Sequence, residues 1–325
     1  MPRFGYKLMS EEHGPRPLVE NAVAAEAAGF DFAAISDHFH PWLEAQGHAP
    51  FAWSVLGAIA QATTRLELST GLTCPIIRYH PAIIAQAAAT VSLLAEGRFT
   101  LAVGTGEALN EHVTGQRWPA VPERLDMLEE AIELMRLLWD GGVHTRTGKH
   151  FRLNHARLYD TPPQPIPVIV GASGPKSAAL AARAGYGLMT TAPKPDLVQG
   201  WREAGGKGPV YGEVTLAWAP SEEAGRKLAH ERFRFSALDW KVNPELPTVE
   251  GFEAATRTVR PEDLAESIPA GPDPDVHLKA IRQYLDAGFT HLALLCPGDD
   301  QQGFIAFAQK QLLPALRALP IEQAA

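Results

Sequence analysis

Residues 30–42 read FDFAAISDHFHPW. An apolar, strand-favouring run, FAAI, stops at Ser36 and gives way at once to Asp37, His38, His40 and Trp42. A buried strand ending in an anion, two imidazoles and an indole is the kind of unit from which an α/β protein builds its chemistry. The unit recurs along the chain. RFGYKLM leads to a helical pattern over 17–28, LELSTGL to PAIIAQAAATVSLLA, and FTLAVGTG to PERLDMLEEAIELMRLLW. PVIVGASG with PKSAALAARA, GLMTT with KPDLVQGW, VYGEVTLAWA with SEEAGRKLAHERF, and HLALLCPG with QQGFIAFAQKQLLPALRAL continue it. With the opening strand and its helix VLGAIAQA, eight strand–helix units are counted. Eight units predict an α/β fold of the (β/α)8 TIM barrel type, a single domain over 1–325.

The competing architecture, a doubly wound Rossmann sheet, carries G-x-G-x-x-G in its first turn. The nearest match, Gly104-Thr105-Gly106, has Leu109 at the third glycine position and lies in the fourth unit. Two stretches break the alternation, 141–167 and 240–274, both rich in Pro, Gly and charge. They are longer than ordinary barrel loops and read as insertions that either line the mouth or decorate the surface.

Composition narrows the function classes. The 29 basic and 37 acidic side chains leave a net charge of −8, a poor endowment for holding nucleic acid or an anionic membrane. Only Cys74 and Cys296 are present, too few for a disulfide framework or paired CxxC zinc ligands. Neither a signal-peptide core nor an apolar run of about 18 residues stands out. The expectation is a cytoplasmic protein acting on a small molecule.

In a barrel, the segments after the strand C-termini share one mouth. Those segments here are SDHFHPW, STGLTCP, GTGEALNE, GASGPK and TTAPK, after the second to sixth strands. His38 with Asp37 suits an oriented base; the plainer reading is an Asp capping a turn and a His packed on an aromatic ring. Adjacent strand residues point to opposite faces, so the two need not touch. His38, His40, His48 and His80 lack the spacing of a metal site such as H-E-x-x-H, and no metal is expected. Glu107 is a proton-transfer candidate beside two glycines that admit a ligand, or a carboxylate at a helix start worth about 0.3–1 kcal/mol.

GASGPKSAA looks like an anion cradle, with backbone N–H groups of Gly171 to Gly174 before a helix opening at Pro175, though a plain helix start reads the same way. Thr190, Thr191 and Lys194 in TTAPK suit a second anionic group, or leave a solvated lysine. Gly71 in STGLTCP marks close backbone approach to a flat ligand, or a bulge.

Taken together, SDHFHPW, GHAPFAW, RYHPAIIAQAAAT and VGTGEALNE resemble the luciferase-like family of coenzyme F420-dependent oxidoreductases, within it most closely the F420-dependent glucose-6-phosphate dehydrogenases. The resemblance implies a barrel, typically homodimeric, with the deazaflavin F420 in its mouth. It implies that His38 is the general base, that Trp42 packs over the reacting centre and that Glu107 is the second acid–base group. Asp37 would hold the polar edge of the ring, a cis peptide would join Gly71 to Leu72, and Thr105, Gly106 and Asn110 would line the cofactor. Ser173 and Gly174 would meet its phosphate. A sugar phosphate would be held by Thr191, Lys194 and Lys241. An arginine expected near Ser267 is missing, so either Arg257 or Arg260 replaces it or the substrate is a different sugar or secondary alcohol. The implied reaction moves hydride from an alcohol carbon to the deazaflavin C5. The alternatives are an FMN-dependent luciferase-like monooxygenase and a non-catalytic deazaflavin-binding protein.

Overall fold

A computed structural model describes residues 1–319; the last six residues of the single-domain reading lie outside the described residues. Strands β1 (Arg3–Leu8), β2 (Phe32–Ile35), β3 (Glu67–Thr70) and β4 (Phe99–Val103) come first. A two-stranded antiparallel hairpin follows, β5 (His144–Thr147) and β6 (Arg152–Ala156). Then come β7 (Val168–Gly171), β8 (Gly187–Thr190), β9 (Val210–Thr215) and β10 (His291–Leu295). All but β5 and β6 close into one parallel barrel, because β1 pairs with β2 on one side (Tyr6 with Ala33) and with β10 on the other (Gly5 with Ala293). These are the eight strands expected from the sequence. Each is a short Val-, Ile-, Leu- or Phe-containing run cut off by glycine or a polar cluster, the pattern of strands buried on both faces.

The helices are α1 (Pro15–Ala28), α2 (Ala52–Ala62), α3 (Pro81–Leu94), α4 (Ala108–Glu111), α5 (Val121–Trp139) and α6 (Pro175–Ala184), followed by α7 (Pro195–Glu203), α8 (Glu222–Phe233), α9 (Val249–Ala255), α10 (Pro274–Asp286), α11 (Gln301–Phe307) and α12 (Leu313–Arg317). Five of them, α1, α3, α6, α7 and α10, open on proline, whose missing N–H costs nothing in the first turn and whose φ is already helical. Between α11 and α12 the chain makes one wide π turn over Ala308–Leu312. Pro314, just beyond it, cannot donate to the carbonyl four residues back, so the ladder re-spaces there.

Two features depart from the sequence reading. Residues 144–156 form the β5–β6 hairpin rather than irregular chain, and Phe151 and Leu153 reach the main core. Strands reading HTRT and RLNHA lack an apolar alternation, so periodicity could not reveal them. The second departure concerns α8, read as the seventh outer helix. Its Ala229 and Phe233 instead join Phe235, Phe252, Leu264 and Ile268 in a second apolar cluster that also contains Met9, Trp42 and Leu43 from the barrel mouth. The outer place is filled by α10, which buries Ile281 and Tyr284 in the main core. The segment from α8 to Ile268 is therefore a cap with its own core, seated on the mouth.

Candidate active site

His38 leaves the end of β2 toward the mouth. Its Nδ1 lies 3.2 Å from the His40 carbonyl oxygen and 3.5 Å from Oε1 of Glu11, a carboxylate with 3% of its side chain exposed on the loop after β1. A carbonyl and a carboxylate both accept, so Nδ1 is a nitrogen that carries a hydrogen. The imidazole meets the edge of Trp42 at a centroid distance of 5.0 Å. Trp42 in turn stacks on Phe235 of the cap, 4.8 Å apart and 9° from parallel, with the edge of Phe252 at 5.1 Å. Gln46 locks the loop, accepting from the Trp42 N–H at 2.8 Å and donating to the Arg232 carbonyl of α8 at 3.1 Å. His40 is tied down as well, its Nδ1 2.9 Å from the Leu109 carbonyl.

Asp37, expected at the ring edge, is engaged by protein donors. Its side chain is fully buried; Oδ2 accepts from Thr73 Oγ1 at 2.8 Å, and Oδ1 accepts from Arg78 Nη2 at 3.1 Å and Tyr79 Oη at 3.0 Å. Three donors occupy a carboxylate with no surface left to offer. Glu111 shares the same guanidinium, with Oε1 3.6 Å from Arg78 Nε and Oε2 accepting the Arg78 backbone N–H at 2.7 Å. Burial outweighs that cation and pushes the Glu111 carboxyl up to about 7, while burial and neighbouring Asp37 raise the Tyr79 phenol. Asn110 spends its carbonyl on the loop rather than on a ligand, accepting from the N–H groups of Phe39 (2.8 Å) and His40 (3.1 Å). Its Nδ2 is buried and has no partner, the one atom of Asn110 still available as a donor.

The floor of the mouth is built around Leu72. The Gly71–Leu72 peptide is cis, as the resemblance implied. The Gly71 carbonyl accepts from Lys7 Nζ at 2.8 Å, and Lys7 is ion-paired to Glu213 inside the barrel. A Cβ at Gly104 or Gly171 would stand 2.9 or 2.5 Å from Leu72 Cδ1, so both glycines are required for the leucine to lie between them. Gly106 has φ +72°, and a Cβ there would strike Cys74 Sγ. Thr105, Gly106 and Glu107 are half-buried on the wall beside this floor. The Glu107 backbone precedes α4, and no hydrogen bond or ion pair to its carboxylate is found among the described residues.

The anion side differs from expectation in detail. The N–H of Ala172 is spent on the Met189 carbonyl, and those of Ser173 and Gly174 both reach Ser177 Oγ, at 3.2 and 3.3 Å. They are thus satisfied rather than free. Lys194 Nζ leans back to within 3.4 Å of the Ser173 carbonyl, bringing its ammonium to the same corner, and space beside Gly174 is open. Thr191 is exposed, with its carbonyl accepting from Tyr284 Oη at 3.0 Å. Lys241 is exposed on the cap, where its backbone N–H donates to Asp239. Ser267 donates to the Leu264 carbonyl, Arg260 is paired with Asp263, and Arg257 is exposed.

Glu11, Arg78, Glu111 and the Lys7–Glu213 pair were not picked out from the sequence. For Glu11 a signal existed, since S-E-E follows β1 one residue after its end, and the register sends that segment to the mouth. The others contribute through contacts across the barrel that no local pattern announces.

Residues 1–291 match the family model of the luciferase-like monooxygenases. The F420-dependent glucose-6-phosphate dehydrogenase of Nakamurella multipartita is 40% identical, over 98% of this chain and 97% of its own length. That of Amycolatopsis mediterranei is 39% identical, over 98% of this chain and 100% of its own. Among solved structures, an F420-dependent secondary alcohol dehydrogenase in complex with an F420-acetone adduct matches with a TM-score of 0.90 and 31% identity, over 97% of this chain and 99% of that one. A barrel closed by these eight strands, carrying its polar residues at their C-terminal ends and aligned end to end with such relatives, belongs to the luciferase-like family.

Proposed function

We propose that this chain is a coenzyme F420-dependent dehydrogenase oxidising an alcohol, with His38 as its general base. The observation that carries the reading is the pairing of His38 Nδ1 with two acceptors, the His40 carbonyl and the Glu11 carboxylate. With Nδ1 donating, Nε2 of the neutral imidazole is the nitrogen that takes the hydroxyl proton in this reading, and the Glu11 carboxylate faces the imidazolium that forms. Trp42, fixed between His38 and Phe235, walls the reacting side and excludes water. Glu107, without a partner among the described residues, is the side chain we assign to the second proton exchange.

The residues present fit a flat cofactor with an anionic tail: an apolar floor at Leu72 maintained by two glycines, open space at Gly174, and the Lys194 ammonium beside it. When bound, the deazaflavin supplies a carbon, C5, that accepts hydride and not single electrons. For the substrate, the relatives named above act on glucose 6-phosphate, and the matched structure on a secondary alcohol. Thr191 and Lys241 are the side chains we assign to a substrate phosphate if one is present, while Lys194 lies at the corner of the cofactor tail. A homodimer is proposed as well, supported by Phe39, Phe51 and Ile83, which each leave more than half of their surface exposed near the second and third strand ends. Two free, buried cysteines suit a reducing cytoplasm.

The test is a screen of F420, FMN and NADP against glucose 6-phosphate, neutral sugars and simple secondary alcohols. Loss of the F420 visible absorbance with at least one alcohol is the expected result. No absorbance change with any of them overturns the dehydrogenase reading; preferential tight binding of FMN points to a monooxygenase, and F420 binding without turnover to a carrier.

A further inference from the structure

We propose that Arg78 is the positioning residue of the catalytic loop, acting through Asp37 to set the orientation of His38; the inference rests on the functional reading above. A guanidinium with 7% of its side chain exposed needs anionic partners to repay its desolvation, and here it has two. Nη2 donates to the Asp37 carbonyl at 2.6 Å and to Asp37 Oδ1 at 3.1 Å. Nε faces Glu111 Oε1 at 3.6 Å, too far for a hydrogen bond.

The carbonyl of residue 37 belongs to the peptide that begins His38. Gripping both this carbonyl and the Asp37 side chain removes rotation of that peptide, the freedom that would swing the imidazole away from Glu11. On the other side of His38, the Phe39 and His40 N–H groups are held by Asn110, the residue next to Glu111. Glu111 therefore anchors Arg78 while its neighbour anchors the far half of the loop, and the base sits between two fixed peptides. Nothing places Arg78 against the reacting atoms, so it is not itself catalytic. Tyr79, whose ring lies 4.4 Å from the guanidinium carbon and whose hydroxyl also reaches Asp37, sets the rotamer of the pair.

The experiment uses the full chain and compares Arg78→Ala, Arg78→Lys and, as a surface control, Arg146→Met, which removes only an exposed pair with Glu133. Arg78→Ala is expected to lower kcat by about 100-fold, the cost of a misplacement near 1 Å. KM for alcohol and affinity for F420 should stay within about threefold, because ground-state binding is untouched. Added guanidinium ion at low millimolar concentration should restore part of kcat in Arg78→Ala and none in His38→Ala. The His38 Cε1–H resonance, followed in protein without cofactor or substrate, should move in Arg78→Ala and return with guanidinium, whereas Arg146→Met should leave it in place. Arg78→Lys keeps the charge but cannot reach Asp37 and Glu111 together, and should fall between the two; it carries the test if Arg78→Ala does not fold. Unchanged kcat with an unmoved His38 resonance, in whichever of the two variants is soluble, overturns the proposal. An inactive wild-type protein would instead count against the functional reading, and the resonance arm would still decide the role of Arg78.

Discussion

Glu11 and His38 stand at the ends of neighbouring strands, and 3.5 Å separates Glu11 Oε1 from His38 Nδ1. If His38 takes the substrate proton, the carboxylate is the group that sees positive charge appear. His38→Ala should cut kcat by about 100-fold or more while leaving F420 affinity near wild type. Glu11→Gln keeps an acceptor for the Nδ1 hydrogen but removes the anion, and should cost about tenfold in kcat with little change in KM. Steady-state rates with a fluorescence titration of F420 check both. Full activity in His38→Ala would remove it from the mechanism.

Trp42 has a second role written into its surroundings. It is 8% exposed and shares an apolar cluster with Phe233, Phe235, Phe252 and Leu264 of the cap, so it joins cap to barrel as well as walling the site. Trp42→Ala should destabilise the protein by about 3–5 kcal/mol, the usual cost of deleting a large buried aromatic side chain. Trp42→Phe retains a ring against Phe235 and should lose much less stability. Urea unfolding of the two variants measures the difference; equal stabilities would mean that the cap does not depend on the indole.

Legibility in the sequence followed the physics of each element. The barrel strands were readable because most are short apolar runs buried on both faces, each followed by a polar or glycine-rich turn. The candidate site followed from the register, which sends SDHFHPW and GTGEALNE to one mouth. What stayed hidden needed information from distant residues. The role of Asp37 depends on Arg78, 41 positions away, and the cap depends on α8 choosing Trp42 over the barrel wall. α8 and α10 are both amphipathic, and nothing local says which of them faces the strands. The missed hairpin β5–β6 is polar and largely exposed, the one strand type that periodicity cannot detect.

Lys194 was assigned by resemblance to a substrate phosphate, yet its ammonium lies 3.4 Å from the Ser173 carbonyl, at the corner assigned to the cofactor tail. A charge-assisted contact to a phosphate there is worth about 1.5–3 kcal/mol. Lys194→Met should therefore weaken F420 binding by about tenfold or more, with the ratio of activities on glucose 6-phosphate and a neutral alcohol unchanged. Equilibrium titration with F420 and parallel rates on the two substrates separate the roles. A selective loss on the phosphorylated substrate, at constant F420 affinity, would return Lys194 to the substrate.

Glu12, the chain neighbour of Glu11, offers a test of buried electrostatics. Its Oε2 accepts the Gly298 N–H at 2.6 Å while Oε1 is buried without a partner. Burial pushes its carboxyl from 4.5 up to about 7, against the opposing effects of that N–H and of Arg232. Between these values the folded chain holds a proton that the unfolded chain has released. Stability contributed by this group therefore falls as pH rises through the window, and the loss is complete above it. Glu111, also raised to about 7 by burial, acts in the same sense, and His291, lowered to about 4 by burial and by Arg3, in the opposite sense between pH 4 and 6.5, so the wild-type curve sums several groups. The difference between Glu12→Gln and wild type isolates the carboxyl. The variant should gain on the order of 1–3 kcal/mol relative to wild type between pH 5 and pH 8, read from urea melts at each pH. Parallel pH dependences for the two proteins would mean that Glu12 titrates as it does in the unfolded chain, and that a charge at this buried position is tolerated without cost.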